Sequence, residues 1–260
     1  MWRQAQRRIA WGWRVMMTGF LFVLFGSGGL VLSLIWFNLL LLAVRQQKKR
    51  RRIARRSISA SFRLFLRIGR MLGVFDYQIH GAEILRAERG SLVVANHPTL
   101  LDYVFIASQA PEIGCLVKAS LINNPCFRGV IRAADYLINS QGETLLPESQ
   151  RRLAAGESIL IFPEGTRTRA GEPLAIQRGA AQIAVRSACS LRLVHIDCDQ
   201  RYLDKQSRWY QIPARKPMIT VSVRQRIDSQ DFVETGDEAP ALAARRLSHY
   251  LRQELVPDSR

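Results

Sequence analysis

Two short apolar runs constrain this 260-residue chain more than anything else in it, because each passes straight into a polar turn. Leu92-Val93-Val94-Ala95 stops at Asn96-His97-Pro98, and Ser158-Ile159-Leu160-Ile161-Phe162 stops at Pro163-Glu164-Gly165-Thr166-Arg167. Short apolar runs bounded by turn-forming residues read as strands buried on both faces. The rest of the chain alternates in the same manner. Strands are expected at 91–96, 113–117, 136–138, 158–162, 191–196 and 218–223, with helices at 98–109, 147–155, 175–188 and 239–255, a helix or turn at 125–134 and a turn at 76–81. This alternation predicts an α/β fold, a mixed, largely parallel sheet flanked by helices. In such sheets ligands bind in the crevice at the carboxyl ends of the strands, which is where both polar turns fall.

The first turn holds a histidine and a carboxylate. Pro98 suits the first position of a helix, which places His97 at its N-cap. Were His97 and Asp102 both inside a helix, five residues would turn them about 140° apart. From the turn, the imidazole can fold back so that one ring nitrogen meets the Asp102 carboxylate. The tautomer is then fixed and the other nitrogen is open to take a proton. An exposed His and a solvated Asp are the plain alternative. In the second turn Gly165 permits close backbone approach, Thr166 offers a hydroxyl and Arg167 a planar fork for phosphate or carboxylate. Alone, that turn reads equally as a surface loop with a Glu–Arg pair; beside the first, it completes a constellation.

Charge divides the chain differently. Residues 1–56 contain 12 Lys or Arg and no Asp or Glu, whereas the remainder carries a net charge of only +5. Met17 to Val44 is uncharged for 28 residues. Fully helical it would be about 42 Å long, more than the roughly 30 Å a bilayer core requires. It reads as a membrane anchor, either one tilted span or a re-entrant hairpin broken near Gly26-Ser27-Gly28-Gly29. The eight basic residues at 45–56 outnumber the four before Met17, which puts the globular part on the cytoplasmic face of a bacterial-type inner membrane. From 57 to 72, Ile58, Phe62, Phe65 and Leu72 share one helical face and Arg63, Arg67 and Arg70 the other. That pattern suits an interfacial helix with its arginines on anionic membrane lipids, or a helix packed on the domain with its arginines solvated. With an apolar run adjoining, lipid phosphate fits the basic cluster better than nucleic acid. The expected organisation is a basic terminus (1–16), a membrane segment (17–44), a basic and interfacial segment (45–72) and a catalytic domain (73–260). Cys115, Cys126, Cys189 and Cys198 lack metal-ligand spacing and read as free thiols in a reducing compartment.

At the two turns the sequence resembles the glycerolipid acyltransferases of the 1-acylglycerol-3-phosphate type. The H-x-x-x-x-D motif of that family is here His97 to Asp102, preceded by Asn96, and its F-P-E-G-T-R motif is complete as Phe162 to Arg167. Lys118 and the Arg178-Gly179-Ala180 stretch also resemble family features, and the resemblance spans roughly 80–225. It implies a membrane-bound O-acyltransferase in which His97, oriented by Asp102, deprotonates an acceptor hydroxyl that attacks the thioester of acyl-CoA or acyl carrier protein. Glu164, Gly165, Thr166 and Arg167 would hold a lysolipid acceptor, 1-acylglycerol 3-phosphate by default, with Lys118 adding positive charge. No cofactor beyond the acyl donor and no metal is implied. Two stretches depart from the family. Ser140 stands in Ala134 to Ser140 where the second motif has an arginine, with Arg128 or Arg132 as substitutes, and His195 stands where the fourth has a proline. Both departures touch elements linked to the acceptor, so a different lipid-like acceptor is the alternative, and a non-enzymatic basic membrane adaptor a more distant one.

Overall fold

The computed structural model describes residues 2–139, 142–168, 174–234 and 238–256. Seven strands form one sheet in the order β1-β7-β6-β2-β5-β3-β4. They are β1 (Asp76–His80), β2 (Leu92–Ala95), β3 (Gly114–Lys118), β4 (Leu137–Asn139), β5 (Ile159–Ile161), β6 (Ser190–Cys198) and β7 (Met218–Asp228). Every pairing is parallel except that of β6 with β7. The carboxyl ends of β6, β2, β5, β3 and β4 therefore share one edge. The mixed, largely parallel sheet is the one expected.

Nine α-helices flank the sheet among the described residues: α1 (Trp2–Val31), α2 (Phe37–Ala43), α3 (Gln47–Met71), α4 (Ala82–Ala87), α5 (Asp102–Gln109), α6 (Pro125–Ala134), α7 (Gly142–Ala154), α8 (Gly179–Arg186) and α9 (Pro240–Glu254). Side chains of β2 alternate between two cores. Val93 and Ala95 pack with Val104, Phe105 and Ile106 of α5, whereas Leu92 and Val94 pack with Ala181 and Ala184 of α8 and Leu247 of α9. All four β2 residues are fully buried, which is why this strand reads as an unbroken apolar run. The helix after β2 lies on one face and the helix after β5 on the other. Since β2 and β5 are neighbours, the crevice between their carboxyl ends is a topological switch point.

Three expectations are corrected. Residues 76–80 form a strand, β1, rather than a turn; it lies at the sheet edge beside β7, where one buried face suffices and polar residues are tolerated. The helix expected at 98–109 begins only at Asp102, with Leu101 as its N-cap, so His97 is not the cap and Pro98 is not its first residue. The cause is Asp102, whose carboxylate accepts from the Thr99 amide at 2.7 Å and the Thr99 hydroxyl at 2.5 Å, holding 99–102 as a separate turn. The helix expected at 175–188 is shorter, Gly179–Arg186.

The amino-terminal apolar segment is a helix that passes unbroken through Gly26-Ser27-Gly28-Gly29 and, after a π-helical turn at Leu32–Trp36, continues as α2. From Gln4 to Ala43 it is long and apolar enough to cross a membrane. One side of it is docked on the domain. Trp11 Nε1 donates to the Ile212 carbonyl at 3.2 Å, Phe25 packs edge-on against Phe65, and Ser33 Oγ accepts from the Gly129 amide at 2.9 Å. The other side leaves Phe20, Val23, Val31, Leu34, Ile35, Leu39 and Leu42 exposed.

Helix α3 takes in both the basic cluster and the stretch expected to be interfacial. Its inner face, including Ala54, Ile58, Phe65 and Leu66, is buried in the core shared with α5. Several arginines are spent on the domain rather than left for solvent or lipid. Arg55 is 4% exposed, donates to the carbonyls of Ala134 (2.9 Å) and Glu112 (3.1 Å), and lies 3.5 Å from Glu157. Arg51 bridges Glu157 at 2.6 Å and Asp135 at 3.2 Å.

Candidate active site

The sheet register brings the two polar turns together. Val94 pairs with Ile161, so three residues beyond each of these partners His97 comes opposite Glu164. The side chain completes what the register begins: Glu164 Oε1 accepts from the His97 backbone N–H at 2.7 Å. The Thr168 hydroxyl donates to the other Glu164 oxygen, and the Thr168 amide donates to the His97 carbonyl at 3.1 Å. On the opposite flank the Asn96 amide bonds both ways to Ile196, donating to its carbonyl at 2.8 Å and accepting from its N–H at 2.7 Å. Asn96 thereby extends the β2–β6 ladder beyond the strand, and the turn leaves the sheet from a fixed point.

On this platform His97 Nδ1 sits 2.8 Å from Asp102 Oδ2. Asp102 is fully buried and already accepts from Thr99, so its carboxylate takes the Nδ1–H of the imidazole. The ring stacks on Phe162 with centroids 4.4 Å apart, and 21% of the side chain is exposed. Its orientation is fixed on three sides, and Nε2 is the nitrogen a substrate can reach. Burial pushes the Asp102 carboxyl above its ordinary range, an effect opposed by the hydrogen bonds from His97 and Thr99. Burial likewise raises Glu164, against the bonds from Thr168 and the His97 amide.

The remaining residues singled out in the sequence fall around this centre. Gly165 adopts φ 67°, a left-handed conformation that glycine accepts freely, and a Cβ there would lie 2.8 Å from Gln177 Nε2. Gly165 and Thr166 are exposed at the mouth, and Arg167 is half-buried. One guanidinium nitrogen of Arg167 donates to the carbonyls of Leu203 at 2.9 Å and Asp204 at 2.8 Å. Lys118 is exposed at the end of β3, the second strand from β2 along the same carboxyl edge. Arg128 and Arg132 are exposed on α6, His195 is buried on β6 and Arg178 is exposed at the start of α8. Ser140 lies outside the described residues. The four cysteines are free, as expected.

Four participants escaped the sequence reading. Thr99 was legible in principle, because Thr99-x-x-Asp102 is the spacing of a capping box. Thr168 and the carbonyls of Leu203 and Asp204 carry no local signal, since only the tertiary fold brings them to the two turns.

A histidine paired with a buried carboxylate, at the switch point of a parallel sheet and with one ring nitrogen open, defines a general-base site on an α/β fold. The profile of the Acyltransferase family matches residues 76–196, which include both turns. The mouse 1-acyl-sn-glycerol-3-phosphate acyltransferase alpha is 25% identical over 189 residues, covering 70% of this chain and 64% of that protein. The 1-acyl-sn-glycerol-3-phosphate acyltransferase of Borreliella burgdorferi is 27% identical over 136 residues, covering 50% and 54%. The chain thus spans less than two thirds of either relative's length. The crystal structure of the 1-acyl-sn-glycerophosphate (LPA) acyltransferase PlsC from Thermotoga maritima shares the fold, with a TM-score of 0.66 at 21% identity over 94% of this chain and 99% of that one. Over residues 76–196 the chain is thus similar to the Acyltransferase family, and the relatives it matches are 1-acyl-sn-glycerol-3-phosphate acyltransferases.

Proposed function

We propose that the protein transfers an acyl group from a thioester, acyl-CoA or acyl carrier protein, to the hydroxyl of a lysophospholipid, with 1-acylglycerol 3-phosphate as the default acceptor and phosphatidate as product. The observation that carries this reading is the His97–Asp102 pair, at 2.8 Å and locked to the Glu164 turn. His97 Nε2 takes the proton from the acceptor hydroxyl as its oxygen attacks the thioester carbonyl. The C–O bond forms, the C–S bond breaks, and the departing thiolate recovers the proton from the imidazolium as a thiol. Both substrates react directly, so the protein contributes proximity and a fixed base rather than a covalent intermediate.

Arg167 is the residue of the second turn best suited to an anionic headgroup, with Thr166 and Gly165 beside it at the mouth and Lys118 on the same sheet edge. Glu164 contributes by joining the turns, its two oxygens engaged by His97 and Thr168. One nitrogen of Arg167 is already committed to carbonyls, and this observation favours a second reading in which the acceptor is a different lysolipid with a less highly charged headgroup. The adaptor reading is weakened, because four of the eight basic residues at 45–56, Arg51, Arg52, Arg55 and Arg56, pair with Glu112, Asp135 and Glu157. The exposed apolar side of α1 and α2 would rest in the lipid, anionic lipids meeting the free basic residues, with the domain on the cytoplasmic face. Acceptor choice is tested by supplying purified protein with acyl-CoA or acyl carrier protein and a panel of lysolipids. Highest kcat/KM on 1-acylglycerol 3-phosphate supports the default acceptor, and a higher value on another lysolipid supports the second reading.

A further inference from the structure

The segment between β6 and β7, residues 199–217, touches the amino-terminal helix at one end and the site at the other. Toward the helix, Ile212 accepts from the Trp11 indole, and Pro213 and Ala214 accept from the buried Arg14 guanidinium. The Trp209 ring covers Gly19, where a Cβ would come within 3.1 Å of it. Toward the site, the Leu203 carbonyl accepts from both Arg167 and the Leu100 amide (3.0 Å), and the Asp204 carbonyl accepts from Arg167. Leu203 holds φ 47°, a left-handed conformation that a leucine keeps only when its surroundings impose it. The Asp204 carboxylate pins the following residues by accepting from the amides of Gln206 (2.9 Å) and Ser207 (2.6 Å).

We propose that residues 199–217 act as a strap through which the docked amino-terminal helix positions Arg167 and the 98–101 turn. Leu203 and Asp204 are positioning residues, acting on the acceptor through Arg167 rather than touching it. The guanidinium has a fixed direction only while the two carbonyls stay in place, and these stay in place while Arg14 and Trp11 hold the strap. Seating of the helix, which in the reading above is the part of the protein in contact with lipid, is thereby linked to readiness of the acceptor site. The inference rests on that reading for the identity of the acceptor, but its structural content is independent of it.

The test replaces Arg14 by methionine, removing the donors to Pro213 and Ala214, with Trp11→Phe as a second variant that removes one donor. Arg8→Met serves as the control for loss of charge, because Arg8 is exposed on the same helix. Full-length proteins in detergent micelles are followed by amide hydrogen exchange and by steady-state kinetics with 1-acylglycerol 3-phosphate and acyl-CoA. The strap predicts faster exchange in 199–217 and at Leu100 for Arg14→Met, with acceptor KM raised about fivefold or more and kcat within about twofold. Arg8→Met should match the wild type. Unchanged exchange at Leu100 and unchanged acceptor KM in both variants would overturn the proposal, as would a uniform loss of kcat with a lowered melting temperature. If the wild type does not acylate this acceptor, the functional reading fails by itself. The strap then stands if Leu100 and 199–217 lose protection together, and falls if they do not.

Discussion

The His97 backbone N–H donates to Glu164 Oε1 at 2.7 Å, so the turn carrying the base and the turn carrying Arg167 are one unit. A buried carboxylate spans the gap between two strand ends that a one-residue slip in register would pull apart.

Glu164→Ala should therefore damage more than its own turn. It leaves the part-buried His97 amide without an acceptor and frees Thr168, at a cost of about 1–3 kcal/mol. Urea titration should show that loss, and transfer activity should fall in parallel. Glu164→Gln keeps an acceptor for the amide and a partner for the Thr168 hydroxyl, and should retain most of the stability.

Asp102→Asn tests the orientation of the imidazole. The amide oxygen can still accept from the Thr99 hydroxyl, but an NH₂ in place of Oδ2 would face Nδ1, force the proton onto Nε2, the wrong tautomer for a base, and leave the Thr99 amide without its acceptor. Transfer should fall about 10²- to 10⁴-fold with the fold intact by circular dichroism. Because burial raises the Asp102 carboxyl, that carboxylate should take up a proton at a pH above the ordinary aspartate value of 3.8. A pH titration of the carboxylate infrared band, taken as wild type minus Asp102→Asn, reads this directly.

Alkali should destabilise the fold through its buried thiols and a phenol. Burial pushes Cys115 and Cys198 up to about 12, Cys189 to about 11 and Tyr136 to about 12, all above their unfolded values near 9 or 10. Raised folded-state values give stability that is whole below the unfolded value and is lost as pH climbs toward the folded one. Melting temperature should hold up to about pH 9 and fall between about pH 9 and 12. Cys115→Ala should soften that fall, and native Cys115 and Cys189 should resist iodoacetamide at pH 8 until denaturant is added.

Two arginines of α3 should behave oppositely. Arg55→Ala removes a buried guanidinium from two carbonyls and Glu157, and should cost about 2–4 kcal/mol in a denaturant titration. Arg52, 60% exposed beside Glu112, should cost less than about 0.5 kcal/mol on the same substitution.

What the sequence revealed follows from how local each signal is. The apolar runs 92–95 and 159–161 announce buried strands because both of their faces are covered, and Pro125 announces α6 because it stands at its first position. His97, Asp102 and Arg167 were legible because their turns stop those strands. Strand β1 was missed because DYQIH is polar and needs a neighbour, β7, that lies far along the chain. The packing of α3 was underestimated because a basic face reads alike whether its partners are headgroups or Glu112, Asp135 and Glu157, whose positions depend on the whole fold. The grip of Leu203 and Asp204 on Arg167 is invisible for the same reason: backbone carbonyls are common to every sequence.

The central claim is that His97 is the base in acyl transfer to a lysolipid hydroxyl. The most direct measurement is the single-turnover rate of transfer from radiolabelled acyl-CoA or acyl carrier protein to 1-acylglycerol 3-phosphate, for the wild type and for His97→Ala bound to the same vesicles. The account predicts labelled phosphatidate with the wild type and a rate at least about 10³-fold lower with the variant, at equal vesicle binding. Transfer by His97→Ala at a rate close to that of the wild type would contradict it.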